Sequence, residues 1–184
     1  PAYRLKQIEE WIFKKHTFDP QAMSNLPAPF REALLEKYDW QLPATTSRLD
    51  SPDGATKLLL KSRTGQNIEA VILRYDNRTG LCISSQVGCK LACSFCQTGK
   101  LGFVRHLTTT ELISQLLVAN EITSKENRRI SHIVFMGMGE PFDNFPATLQ
   151  AAKYFTSPDH FGLSKRHVTL STAGLVPQIK LLAE

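Results

Sequence analysis

The chain has 184 residues, 42% hydrophobic and 21% charged, with 22 Lys and Arg against 17 Asp and Glu. This is ordinary globular composition and excludes a disordered or fibrous protein. No apolar run approaches the ~20 residues that a membrane helix needs, and the net charge of +5 favours a polyanionic partner such as nucleic acid to a modest degree. The excess lies in residues 51–184, because residues 1–50 carry as many acidic as basic side chains. The N-terminal PAYRLKQIEEWIFKK mixes both charges, unlike a signal peptide, and does not start with Met. The sequence is therefore expected to be a cytoplasmic, monomeric protein cut at both ends from a longer one.

The spacing predicts a helix over residues 2–16, with Leu5, Ile8, Trp11 and Ile12 as its apolar stripe. A second helix is expected over 30–38, with Ala33, Leu34 and Tyr38 inward. Pro20, Pro27 and Pro29 punctuate the connection. These form a helical module over residues 1–45. Residues 41–56, rich in Pro, Ser, Thr, Asp and Gly, read as a linker. Strands over 57–62 and 68–75 flank Thr64-Gly65-Gln66-Asn67, a hairpin turn, so 46–79 reads as linker plus β-hairpin.

From residue 80 the pattern becomes strand, loop, helix, repeated. Strands are expected at 81–85, 132–136 and 167–171, with helices from Thr108, near Pro146 and near Val176. Thr108 and Glu111 have capping-box spacing, and Leu112, Ile113, Leu116 and Leu117 form the buried face of that helix. Three consecutive βα units imply a parallel sheet with helical crossovers, an α/β class. Every chemically suggestive segment follows a strand's C-terminal end, where such sheets and barrels place their sites.

The four cysteines, at 82, 89, 93 and 96, fall within fifteen residues. Such clustering argues for metal binding rather than a disulfide framework. Gly88-Cys89-Lys90-Leu91-Ala92-Cys93-Ser94-Phe95-Cys96 has the spacing C-x3-C-x2-C. Zinc sites and simple ferredoxin clusters take four protein ligands, so three thiolates on one loop leave one iron of a cluster open to a small molecule. Gly137-Met138-Gly139-Glu140-Pro141 follows the second strand but fails as G-x-G-x-x-G, since Phe142 stands at the last position. On pattern alone it is either a tight turn with an exposed Glu or a ligand loop. Ser171 reads as a locally satisfied hydroxyl, Cys82 as a small buried hydrophobe, and Glu69 as a solvent-facing strand carboxylate. Lys165, Arg166 and His167 form either a solvated strand end or part of an RNA-facing surface.

The cysteine loop, with an aromatic before its last Cys, resembles the radical S-adenosylmethionine (SAM) superfamily. LCISSQVGCKLACSFCQTG, FMGMGEP and FGLSKRHVTLSTAG, in that order, resemble its RlmN/Cfr family of RNA adenosine methyltransferases. The resemblance implies a partial radical SAM (β/α) barrel over 80–184 and an RNA-binding N-terminal domain. It implies a [4Fe–4S] cluster on Cys89, Cys93 and Cys96, with SAM on the open iron and contacted by Gly139, Glu140 and Ser171. It implies that Glu69 accepts a proton from the reacting adenine. It also implies that Cys82, as an accessible and partly ionised thiol, resolves a protein–RNA adduct through a transient disulfide with a second, methyl-carrying Cys outside these residues. The implied substrate is large-subunit (23S) ribosomal RNA, with tRNA as a further candidate, and the implied partner is an electron donor. Glu140-Pro141 and FGLSKR resemble the C2-methylating RlmN more than the C8-methylating Cfr. A Cfr-like enzyme and a non-catalytic RNA-binding iron–sulfur module are the alternatives.

Overall fold

The computed structural model describes residues 2–183. Helix α1 (Ala2–Glu9) runs into a wide π-helical turn over Glu10–Lys14, and α2 spans Ala28–Lys37. Met23, Leu26 and Leu34 form a small core, with Ile8, Trp11, Ile12, Phe30 and Trp40 packed on it. Three residues expected to face inward do not. Leu5, Ala33 and Tyr38 are exposed; at Tyr38 the reason is that the chain leaves α2 in an extended conformation and Trp40 folds back instead, donating Nε1–H to the Leu34 carbonyl.

The segment expected as a linker contains strand β1 (Ala44–Asp50). It is exposed along its whole length, so it shows no alternation of apolar and polar residues for a sequence pattern to report. Its pairing with β2 (Ala55–Lys61) makes it a strand. β2 in turn pairs antiparallel with β3 (Asn67–Arg74), and β3 with β4 (Thr79–Cys82). β4 then pairs parallel with β7 (His132–Phe135), and β7 with β8 (Val168–Leu170). The expected hairpin is thus continuous with the expected barrel in one six-stranded sheet, ordered β1-β2-β3-β4-β7-β8.

Helix α4 (Thr109–Ser124) makes the first crossover and α5 (Phe145–Thr156) the second, and α6 (Val176–Ala183) follows β8. The Thr108–Glu111 capping box is present in both directions. Leu112, Leu116 and Leu117 of α4 are buried against Leu58, Leu60, Ile68, Ile72, Leu81 and Ile133 of the sheet. Each such leucine contributes about 2 kcal/mol by leaving water. The strand expected at 81–85 ends at Cys82. Beyond it lies an unforeseen two-stranded ribbon of β5 (Gln86–Gly88) and β6 (Phe103–His106), which brackets the cysteine loop and the single turn α3 (Gln97–Lys100). No helix among the described residues is long and apolar enough to cross a membrane.

The candidate active site

Alternation along the strands assigns the two faces of the sheet. Leu58, Leu60, Ile68, Ala70, Ile72, Leu81 and Ile133 point to the helices and are buried. The other face carries Lys57, Leu59, Glu69, Val71, Cys82, Val134 and Thr169, through the register pairs Leu59 with Glu69, Lys57 with Val71, Val71 with Cys82, and Val134 with both Cys82 and Thr169. Glu69 and Cys82 are therefore diagonal neighbours on one face, a relation that places the two residues about 7–8 Å apart and their Cβ atoms somewhat closer. Both expected catalytic residues lie on the face of the sheet opposite the helices.

Glu69 forms an ion pair with Lys57 at 3.2 Å, both side chains being nearly half exposed. Lys57 carried no sequence signal, because a lysine on a strand reads as solvation. Cys82 departs from the accessible, partly ionised thiol that the resemblance implies and lies nearer the buried small residue that the strand pattern gives. It is partly buried, and burial pushes its thiol above the ordinary range, with the backbone amide of Met136 offsetting part of the rise. At rest it is a protonated thiol rather than a partly ionised one. All four cysteines are free, so the expected disulfide has no partner among the described residues.

The cysteine loop has a fixed frame. Gly88 (φ +75°) lies so close to the ribbon that a Cβ would fall 1.8 Å from the Gly102 carbonyl oxygen, and the Cys89 amide donates to that same oxygen at 2.9 Å. Ala92 takes the left-handed region at φ +46°, and a Cβ on Gly99 would press on Ala92 and on the Cys93 nitrogen at 3.0 Å. The Gly99 amide, foremost, holds the Cys96 thiol below its ordinary range; desolvation opposes it, and the Thr98 amide and hydroxyl add smaller contributions in the same direction as Gly99. Among the described residues no three His, Cys, Asp or Glu side chains are gathered as a ready-made metal site. The thiols share a loop without being closed around one point, as expected of ligands that only a metal draws together. Three soft donors on one frame, one already acidified by backbone amides, suit a thiolate-ligated cluster.

The turn after β7 lies directly on the root of this loop. Cβ atoms on Gly137 and Gly139 would meet Ile83 O at 2.8 Å and Gln86 Cβ at 2.5 Å, and Gly139 has φ +98°. Only glycine permits this approach. Glu140 is 4% exposed rather than exposed as a bare turn would have it. Its Oε1 accepts the Phe142 amide at 2.9 Å and its Oε2 the Ala173 amide at 2.8 Å, so it ties the β7 turn to the segment after β8 that holds Ser171. Lys165, Arg166 and His167 form a short 3-10 turn at the opposite, entering end of β8.

Sequence reading missed the buried polar residues that join these loops. Gln115 side-chain atoms bond both backbone groups of Ser84 at 2.9 Å. The Ser84 hydroxyl accepts the Met138 amide, and the Asn144 amide donates to the carbonyls of Ser85 and Leu107. The signal was available: Ser84-Ser85-Gln86 continues an apolar strand with polar residues, which a buried position tolerates only when they are bonded.

Taken together, the parallel strands, the three-cysteine loop at their C-terminal ends and the glycine turn packed beside it define a radical SAM protein. The chain belongs to the radical SAM superfamily, whose model matches residues 83–184. A crystal structure of a radical SAM methyltransferase from Sphaerobacter thermophilus superimposes with a TM-score of 0.95 at 37% identity, over all of this chain and 54% of that one. Curated relatives narrow the likeness. The chain is 40% identical over 184 residues to the probable dual-specificity RNA methyltransferase RlmN of Dictyoglomus turgidum, covering 100% of this chain and 53% of the relative. It is 45% identical over 177 residues to the dual-specificity RNA methyltransferase RlmN of Vesicomyosocius okutanii, covering 96% and 50%. The resemblance to RlmN read from the motifs is thus borne out. The chain spans about half the length of the relatives it matches.

Proposed function

We propose that this chain is the cluster-bearing half of a radical SAM methyltransferase that methylates C2 of adenosine in large-subunit (23S) ribosomal RNA. In this reading tRNA is a second substrate and a methyl-cysteine the intermediate. The observation that carries the reading is the placement of Glu69 on β3 and Cys82 on β4 as diagonal neighbours on the face opposite the helices, with β4 leading through β5 into the loop of Cys89, Cys93 and Cys96. A barrel that held only a cluster, or a passive RNA-binding module, has no use for a carboxylate and a thiol there.

Cys89, Cys93 and Cys96 would hold a [4Fe–4S] cluster, and Gly139, Glu140 and Ser171 would line the SAM site. When bound and reduced, cluster and SAM supply the carbon radical chemistry that the poorly nucleophilic C2 carbon requires. The chain's own groups do the rest. Lys57 orients the Glu69 carboxylate, which takes the ring proton once it comes within hydrogen-bond reach. Cys82 stays protonated until the protein–RNA adduct forms, then releases it. The four cysteines all have roles in this scheme, so the methyl carrier is not among them, and the 184 residues alone are expected to give no multiple turnover. The whole enzyme acts as a cytoplasmic monomer served by a protein electron donor.

The test is a denaturing gel of full-length enzyme, labelled RNA, SAM and reductant. Cys82→Ala is expected to accumulate a slow-migrating covalent protein–RNA species, and Glu69→Gln to slow turnover. Normal turnover by Cys82→Ala without that band refutes the assignment. Nucleoside analysis of the wild-type product separates 2-methyladenosine, as proposed, from the 8-methyl isomer.

A further inference from the structure

One fully buried side chain at the site has no role in the scheme above. Gln86 is 0% exposed, three residues before Cys89 and at the start of β5. Its side-chain oxygen accepts the Glu140 amide at 2.9 Å. Its amide nitrogen donates to Asp143 Oδ2 at 2.7 Å and to His106 Nδ1 at 3.0 Å. Both amide hydrogens and the carbonyl are thereby used. Its stem lies against Gly139, where a Cβ would come within 2.5–2.7 Å of Gln86 atoms, and the Gln86 and Ser85 backbone amides both donate to the Met138 carbonyl. Asp143 in turn faces Lys90 of the cysteine loop at 3.6 Å and His106 Nε2 at 3.9 Å. Lys90 also lies over the Phe103 ring at 4.7 Å.

We infer that Gln86 is a positioning residue for SAM: through Glu140 on one side and Asp143 on the other, it sets the spacing between the Gly137–Glu140 turn and the loop that carries Cys89. The physical reason is register. A molecule chelated to the open iron and contacted by the turn is held at both ends, so its affinity depends on the distance between the two supports. The first half of the turn is held by backbone and hydroxyl bonds at Gly137 and Met138; beyond Gly139, whose positive φ only glycine adopts easily, the Glu140 amide is fixed by the buried Gln86 side chain. A glutamine suits the position because it accepts from an amide and donates to a carboxylate at once. Neither leucine nor glutamate can do both at neutral pH. The geometry stands without any assignment of function; the ligand rests on the function proposed above.

Two readouts test the inference. In the cluster-free protein, Gln86→Met keeps the length of the side chain and loses the amide. Hydrogen exchange of the Glu140 amide is expected to speed up at least about tenfold, the scale of a lost buried hydrogen bond, while Ile133 in β7 is unchanged. In the reconstituted full-length enzyme, Gln86→Met is expected to keep its iron content and to weaken SAM binding about tenfold or more. Asp143→Asn, which retains an acceptor for Gln86, is expected to stay within about threefold of wild type on the same scale. Gln86→Glu keeps the acceptor for Glu140 but sets a second carboxylate against Asp143, beside His106 and Lys90. Its SAM affinity is expected to recover as pH falls and the introduced carboxyl again becomes a donor, a recovery that loss of packing would not give. Unchanged exchange at Glu140, SAM affinity within twofold of wild type, or loss of iron from Gln86→Met would each overturn the inference. Should the wild-type protein take up no cluster, the proposed function fails, and amide exchange still decides whether Gln86 holds the turn.

Discussion

The two kinds of cysteine at the site differ in chemistry because they differ in what surrounds the sulfur. Backbone amides of Gly99 and Thr98 point at Cys96 and favour its thiolate, whereas burial at Cys82 favours the thiol. In the cluster-free protein at pH 7.5, iodoacetamide followed by peptide mapping is expected to label Cys96 first and Cys82 last, since the thiolate is the reacting form. Equal labelling rates would contradict both environments. His16 provides a second residue-scale expectation. It holds the left-handed region at φ +53°, stacks on Phe161 at 6.2 Å and meets Asn120 at 3.3 Å. Burial foremost, then Arg129 and Lys14, hold its pKa below the ordinary 6.5. Below pH 6.5 the unfolded chain therefore takes up a proton that the folded chain refuses, so stability is full above that pH and falls as pH drops towards the folded pKa. His16→Asn, which tolerates the same backbone region, is expected to show a smaller drop in Tm between pH 7.5 and 5.5 than wild type.

At the scale of elements, the frame of the cysteine loop depends on the β5–β6 ribbon, and the ribbon depends on one arginine. Arg105 in β6 makes a two-pronged ion pair with Glu111 in the first turn of α4, at 2.7 and 2.9 Å, and also donates to Thr64 in the β2–β3 turn. Burial works against ionising Glu111, but the Arg105 bonds and the Thr108 amide outweigh it and hold its pKa below the usual carboxylate value. This contribution is present above pH 4.5 and is lost as pH falls through the folded pKa. Arg105→Ala is expected to lower stability to urea by about 1–3 kcal/mol, chiefly by stranding a partly buried carboxylate. Thr108→Ala removes only the cap and is expected to cost about 1 kcal/mol. If Arg105→Ala costs no more than Thr108→Ala, the ribbon is not anchored through this pair.

At the scale of the molecule, the N-terminal module meets α5 and the loop that follows it through aromatic rings. Phe13 lies edge-on to His160 at 4.7 Å and to Phe161 at 5.1 Å, and 5.9 Å from Tyr154, while Ile12, Phe18 and Leu42 also pack on the main core. The Lys14 ammonium donates to the Pro158 carbonyl beside them. Met23, Leu26 and Leu34 are too few to hold the module folded alone. Phe13→Ala is expected to cost about 3 kcal/mol, and limited proteolysis should then cut within residues 15–27 before it reaches the sheet. Cleavage spread evenly over both parts would show instead that the two unfold as one unit.

Local sequence alone determined the βα alternation, the α4 capping box at Thr108 and Glu111, and the loop of Cys89, Cys93 and Cys96, because each is written in contiguous residues whose spacing carries the physics. The cysteine loop in particular needs only nine residues to state its chemistry. What depends on residues far apart in the chain was decided by the tertiary structure. β1 is a strand because β2 lies beside it, and nothing within Ala44–Asp50 says so. The ribbon joins Gln86 to His106 across the cysteine loop. Lys57 reaches Glu69 only through the register of two strands. Gln86, Asn144 and Gln115 are buried and bonded across loops; the polar run Ser84-Ser85-Gln86 hints at such a position, but the partners at Glu140, Ser85 and Ser84 lie 31 to 59 residues away and only the fold supplies them. The state of Cys82 belongs to the same class, since a thiol's acidity is set by its surroundings and not by its neighbours in the chain.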